Sequence, residues 1–377
     1  MTDVTALAKA LIACPSVTPR TAGAFNVLED FLRPLGFEAH RVLFKEEGYE
    51  PVENIYLRYG KTAPNFCFAG HTDVVPPGDE AAWKVPPFEP QVVDGELIGR
   101  GAEDMKGAIA AFMLAAKNFI ESGQCKGSIS LLITQDEEGD AVNGTRKMLG
   151  WMKEHGEKID HCLVGEPTNP DVLGEMVKIG RRGSITFQLK VNGVQGHAAY
   201  PERADNPVTR IVMMLHALKT TRLDEGSEHF QPSNLEITSI DVGNPTTNVI
   251  PASAGASFNI RFNDLHASAD IVQWVRERCA PFGEVELKHR VTGESFLNGD
   301  AKLTELLVGA IKKVTGQTPV LSTTGGTSDA RFIKDVCPVI EFGTTGRTAH
   351  QVDERVAVKT LEGLAEIYQR VLEGYFA

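Results

Sequence analysis

With 377 residues, 42% of them hydrophobic and 23% charged, the chain is long enough for two domains and has the make-up of an ordinary globular protein. A formal net charge of −12 argues against nucleic acid as a partner, yet it leaves open an anionic small-molecule substrate, because a few arginines reverse the field inside a cleft. No run approaches the roughly 20 apolar residues of a membrane span, the N-terminus has no leader-like pattern, and the six cysteines form neither a C-x-x-C pair nor a disulfide framework, so the expectation is a cytoplasmic protein with no membrane partner.

In chain order, residues 4–13 and 22–35 read as amphipathic helices, the second closed by Pro34 and Gly36. Asn65–His71 reads as a short apolar strand that ends on a histidine, and Asp73 follows two residues later. A carboxylate at that spacing can hold an imidazole in one tautomer, as metal-binding histidines require. Gly99-Arg100-Gly101-Ala102-Glu103 then leads to Asp104 and a helix over 105–122. Its apolar positions Ile109, Phe112, Met113, Ala116, Phe119 and Ile120 follow the i, i+3, i+4, i+7 rule. A strand over 129–134 runs into Asp136-Glu137-Glu138, and a strand over 162–164 precedes Glu166. After a helix over 301–315, a strand over 336–342 precedes His350.

Strands that are almost continuously apolar and alternate with helices predict an α/β fold. Its centre is a mixed, mainly parallel sheet flanked by helices. The middle of the chain reads differently. Residues 184–191 form a strand, 207–220 a helix, 235–242 and 254–262 strands, 269–279 a helix and 285–291 a last strand. This β-α-β-β-α-β order is ferredoxin-like. It predicts an α+β domain over 182–293, inserted into a discontinuous domain of 1–181 and 294–377. Gly180, Gly183 and Gly293 lie at the connections, where they suit hinges.

Each acid or histidine at a strand end has an ordinary reading by itself. Asp104 is placed as a helix N-cap, Asp136-Glu137-Glu138 as a solvated turn, Glu166 and His350 as loop residues. Together they fall on the edge where parallel sheets bind ligands. If His71, Asp104, Glu138, Glu166 and His350 meet, three carboxylates converge, and they repel unless protons or cations answer them. Two divalent ions do so, with Asp104 bridging, His71 and Glu166 on one ion, and Glu138 and His350 on the other. The mixed donors suit two Zn2+ per chain, with Co2+ able to replace one. Such a pair, roughly 3.5–4 Å apart, is a hydrolytic device. Glu137 cannot easily share an ion with its neighbour Glu138, which leaves it free as the general base.

Four motifs occur in order: Gly70-His71-Thr72-Asp73-Val74-Val75-Pro76, Gly99-Arg100-Gly101-Ala102-Glu103-Asp104-Met105-Lys106-Gly107, Asp136-Glu137-Glu138-Gly139 and Gly165-Glu166-Pro167-Thr168. In these the chain resembles the zinc-dependent aminoacylase/carboxypeptidase family over essentially its whole length. The resemblance implies a two-metal catalytic domain, a lid domain that also makes a homodimer contact, Asp73 as orienting residue, Glu137 as base and a cis peptide after Asp104. It implies that His197, in the loop before the lid's first helix, crosses from the partner subunit to the oxyanion. Further lid positions, Arg181, Ser184, Tyr200, Asn248 and Arg261, match substrate contacts of the family's deacylases, as does the Gly325-Gly326-Thr327 loop, expected in the catalytic domain. Thr247 is a departure, because paired asparagines can stand at 247 and 248 in those relatives. The expected activity is hydrolysis of an amide in an anionic acylated amino acid, with sister deacylases, aminoacyl carboxypeptidases and an inactive binding relative as alternatives. The chain contains no G-x-S-x-G elbow, H-E-x-x-H helix or P-loop.

Overall fold

The computed structural model describes residues 3–377. The chain folds as two compact units. One takes in the chain up to Ile179 together with Asn298–Ser322 and Ser328–Ala377; the other is Gly180–Leu297 with Thr323–Thr327.

The first unit is built on an eight-stranded mixed sheet in the order Glu38–Phe44, Val52–Tyr59, Ser128–Thr134, Asn65–His71, His161–Val164, Val339–Glu341, Met176–Lys178, Val320–Ser322. Its central four strands, from Ser128–Thr134 to Val339–Glu341, run parallel. All seven residues of Asn65–His71 and all seven of Ser128–Thr134 are buried, which explains why their side chains do not alternate between buried and exposed: both faces of the sheet are covered. The helix Lys106–Glu121 buries Ile109, Phe112, Met113, Ala116 and Phe119, and Phe112 stacks on Phe68 at 4.4 Å between ring centroids. Helix Val358–Tyr375 packs into the same core through Leu361, Leu364 and Tyr368. No helix among the described residues is long and apolar enough to cross a membrane.

Two elements differ from the sequence reading. The strand expected over 336–342 is only Val339–Glu341, because the Val336 and Cys337 amides both bond back to Ile333 and Pro338 has no amide to give a sheet. Asp104 is not a helix cap: the N-cap of Lys106–Glu121 is Met105, with no side-chain cap bond.

The second unit is a four-stranded antiparallel sheet ordered Asn234–Asp241, Ser253–Phe262, Gly183–Asn192, Glu286–Gly293, with helices Pro207–Thr220 and Ser268–Cys279. Number its strands along the chain and the order is 2-3-1-4, the ferredoxin-like arrangement. Burial alternates strictly along Gly183–Asn192 after its first residues. Ile185, Phe187, Leu189 and Val191 pack with Ile211, Met214, Leu215, Ile271 and Val275 of the two helices, and the other face is polar.

Candidate metal centre

Parallel register brings the sequence-predicted residues of the first unit to one sheet edge. His71 is paired with Thr134, so the loop to Glu137 and Glu138 leaves beside it. Val164 pairs with Glu341, which puts Glu166 next to the start of the segment that leads to His350. The approach is tight. A Cβ on Gly343 would sit 2.2 Å from the Gly165 carbonyl oxygen and 2.4 Å from that of Glu166, so only glycine fits there. Asp104 arrives from the other side, on the loop before Lys106–Glu121, and its peptide bond to Met105 is cis.

His71 Nδ1 lies 2.9 Å from the main-chain oxygen of Asp73. A carbonyl only accepts, so Nδ1 carries the proton and Nε2 faces the cluster. There it meets Asp104 Oδ1 at 3.2 Å and Glu166 Oε1 at 3.6 Å. His350 Nε2 meets Glu138 Oε1 at 2.8 Å and Asp104 Oδ2 at 3.5 Å. The two oxygens of Asp104 therefore look opposite ways, each toward a histidine. His71, Asp104 and Glu166 form one group with donor atoms close enough for a single ion; Asp104, Glu138 and His350 form another.

Asp73 meets His71 through both its main chain and its carboxylate. The hydrogen bond that orients His71 comes from the Asp73 main chain, with the carboxylate farther off at 3.6 Å. The carboxylate also accepts the Glu138 amide at 3.0 Å and the Glu137 amide at 3.5 Å. It positions the turn that carries both acids. Asp136 is no solvated acid: it is buried and accepts the amides of Ala141, Val142 and Asn143.

The electrostatics show a site short of positive charge. Burial pushes the Glu166 carboxyl well above its usual range, and the charges of Asp104 and Glu137 add to this. Burial also pushes Glu137 up to about 8, reinforced by Asp329, Glu138 and Asp104 against the opposing pull of His71. Burial works against protonated His71, but the hydrogen bond to Asp104 and the charges of Glu166 and Asp73 outweigh it and raise its pKa. Hydrogen bonds to Asp104 and Glu138 push His350 up to about 10. Burial disfavours the Asp104 anion, yet its bonds to His350 and His71 hold it well below the carboxylate range. Acids this close repel one another unless protons or cations answer them. Cations are the alternative, and the donors fit them: Glu166 Oε1 is buried with no hydrogen-bond partner, and nitrogen and carboxylate oxygen suit zinc.

The second unit carries the other predicted residues, in two clusters. In one, Ala198 donates to the Asn248 carbonyl at 2.9 Å, and His197 pairs with Val249 across a short strand pair. His197 Nδ1 accepts the Ala199 amide at 3.0 Å, which leaves the proton on Nε2. Its ring lies 5.5 Å from that of Tyr200, and both side chains are exposed, as are Thr247 and Asn248. In the other cluster, Ser184 pairs with Arg261 across the sheet, and Asn259 donates to Ser184 Oγ at 3.2 Å. Arg182 Nη1 donates to Asn234 at 2.8 Å. Burial lowers the pKa of Arg182 and of Arg261, and the charge of Arg261 adds to the effect on Arg182. Gly325, Gly326 and Thr327, expected in the catalytic domain, belong to this second unit, where Arg181 Nη1 donates to the Gly326 carbonyl at 3.1 Å.

The model of peptidase family M20/M25/M40 matches residues 67–374. The chain is 56% identical over 377 residues to succinyl-diaminopimelate desuccinylase of Rhodospirillum centenum, with 100% of this chain and 98% of that protein covered. It is 54% identical to the protein of the same name from Rhodospirillum rubrum, with coverage of 100% and 99%. In fold it is similar to the M20 family metallo-carboxypeptidase Sso-CP2 from Sulfolobus solfataricus, with a TM-score of 0.80 at 15% identity and both chains fully covered.

Proposed function

The chain belongs to peptidase family M20/M25/M40, and from that premise we propose that it hydrolyses N-succinyl-L,L-diaminopimelate to succinate and L,L-diaminopimelate, on the route to lysine and meso-diaminopimelate. The observation that carries the chemistry is the division of five side chains into two ion-sized groups that share Asp104. The substrate is supported by full-length similarity to proteins named for this reaction. It is supported too by the arginines of the second unit, because the substrate has three carboxylates and guanidinium groups bind carboxylates in two-point fashion.

In this reading His71 and Glu166 hold one zinc ion, Glu138 and His350 the other, and Asp104 serves both. Cobalt is the alternative occupant of one position. Bound there, the pair supplies Lewis-acid polarisation of the amide carbonyl and an acidified water. Glu137 lies beside Glu138 in sequence but in neither group. It takes the proton from the attacking water and delivers it to the amine nitrogen as the C–N bond breaks, so the succinyl carbon gains the hydroxyl and the amine leaves neutral. His197 donates from Nε2 to the oxyanion. Arg181, Ser184, Tyr200, Asn248, Arg261 and the 325–327 loop bind the substrate.

The assembly in this reading is a homodimer made through the 182–293 lid. Exposed apolar side chains on that part of the chain, Val212, Met213 and Ile240, support an interface there. The proposed compartment is the cytoplasm, where six unpaired thiols are stable.

The test is a side-by-side measurement of kcat/KM for N-succinyl-L,L-diaminopimelate, N-acetylornithine and a dipeptide series. The succinylated substrate is expected to be hydrolysed most efficiently. A dipeptide or N-acetylornithine hydrolysed more efficiently would replace it.

A further inference from the structure

Two buried carboxylates stand outside both ion groups, and they are exchanged between the loops that carry Asp104 and His350. Glu103, next to Asp104, accepts from Thr345 Oγ1 at 2.5 Å, from the Thr348 amide at 2.6 Å and from Thr348 Oγ1 at 2.8 Å, all on the His350 side. Glu354, four residues after His350, accepts from the amides of Gly101 at 3.0 Å, Glu103 at 3.0 Å and Asp104 at 3.1 Å, all on the Asp104 side. Arg100 Nη1 closes the set on Glu354 at 2.6 Å, and the same guanidinium donates to the main-chain oxygens of His350 and Gln351. Glu103 is 1% exposed and Glu354 0%.

We infer that Glu103 and Glu354 are positioning residues, a reciprocal clasp that sets Asp104 against His350 and thereby the affinity of the Asp104, Glu138 and His350 group for its ion. This rests on the two-metal reading above. The chemistry of the two ends differs in a way that can be tested. Every partner of Glu354 is an obligatory donor, three amides and a guanidinium. A glutamine there must turn its NH2 toward donors and lose bonds. Glu103 meets two hydroxyls and the amides of Arg347 and Thr348. A glutamine there keeps its oxygen on Thr348 and offers its NH2 to the Thr345 hydroxyl, which can reverse and accept. Alanine at 103 removes every side-chain bond and leaves the main-chain amide on Glu354.

The test titrates Zn2+ into metal-depleted full-length protein by calorimetry, with circular dichroism to confirm folding. Wild type is expected to bind two ions. E354Q and E103A are expected to weaken one of the two steps about 10–100-fold, the range for residues that orient metal ligands. E103Q, which keeps the bonds to Thr348 and Thr345, is expected to fall less than E103A. Should E354Q fail to fold, the contrast between E103A and E103Q decides the matter. Folded E354Q or E103A with both affinities intact overturns the clasp, and so does E103Q falling as far as E103A. Wild type binding fewer than two ions overturns the two-metal reading and the clasp with it.

Discussion

Glu137→Ala is expected to lower kcat by about a hundred- to ten-thousand-fold, the usual contribution of a positioned general acid–base, while the protein still takes up two metal ions. The reason lies in the turn that follows Ser128–Thr134. Asp73 accepts the amides of Glu137 and Glu138 together, so the two side chains start from one rigid point, yet only Glu138 reaches His350. Glu137 is left with its carboxyl among the same charges and with no place in either ion group. Deleting it removes the proton carrier and leaves all five donors intact. The measurement is steady-state kinetics on protein whose metal content has been determined. Near-normal kcat with full metal would take the role of base away from Glu137, and lost metal would make it a ligand instead.

His197→Ala is expected to lower kcat by about a hundred- to a thousand-fold, the effect of removing one oxyanion donor, with unchanged metal content. The main chain has already chosen the tautomer: Ala199 donates to Nδ1, so Nε2–H is the free donor on an exposed side chain. Subunit exchange separates action within one chain from action across the dimer. When His197→Ala and Glu137→Ala proteins are mixed and allowed to exchange, a histidine acting across the dimer restores about a quarter of wild-type activity. Half of the random dimers are then mixed, and each has one complete site. Proven exchange without recovered activity would place His197 in its own subunit's site.

Much of the candidate site is legible because most of its residues sit just past the end of an apolar strand. His71 ends one, Glu137 and Glu138 follow the next, Glu166 lies two residues past the third, and parallel register then has to bring them to one edge. What could not be read is how these residues are held. Arg100 and Glu103 stand inside a motif and Glu354 shortly after His350, but nothing local says what they bind, because their bonds join positions about 250 residues apart. The Asp73 carboxylate is a related case: local spacing points to His71, whereas the amides it also accepts come from a neighbouring strand's loop.

In the fold, the ferredoxin-like order was visible because strands of eight to ten residues and helices of twelve to fourteen give full periods. Met176–Lys178 and Val320–Ser322, at three residues each, are too short to show a period at all. The strand expected over 336–342 contracts because its apolar residues Val336 and Cys337 serve a helix end, and an apolar run by itself does not say which.

The most direct test of the account is the position of metal in the protein itself. A crystal grown with zinc, with data collected on both sides of the zinc absorption edge, is predicted to show two anomalous peaks. One lies between His71 and Glu166, the other between Glu138 and His350, and Asp104 touches both at about 2.0–2.2 Å. A single peak, or two ions that do not share Asp104, would contradict it.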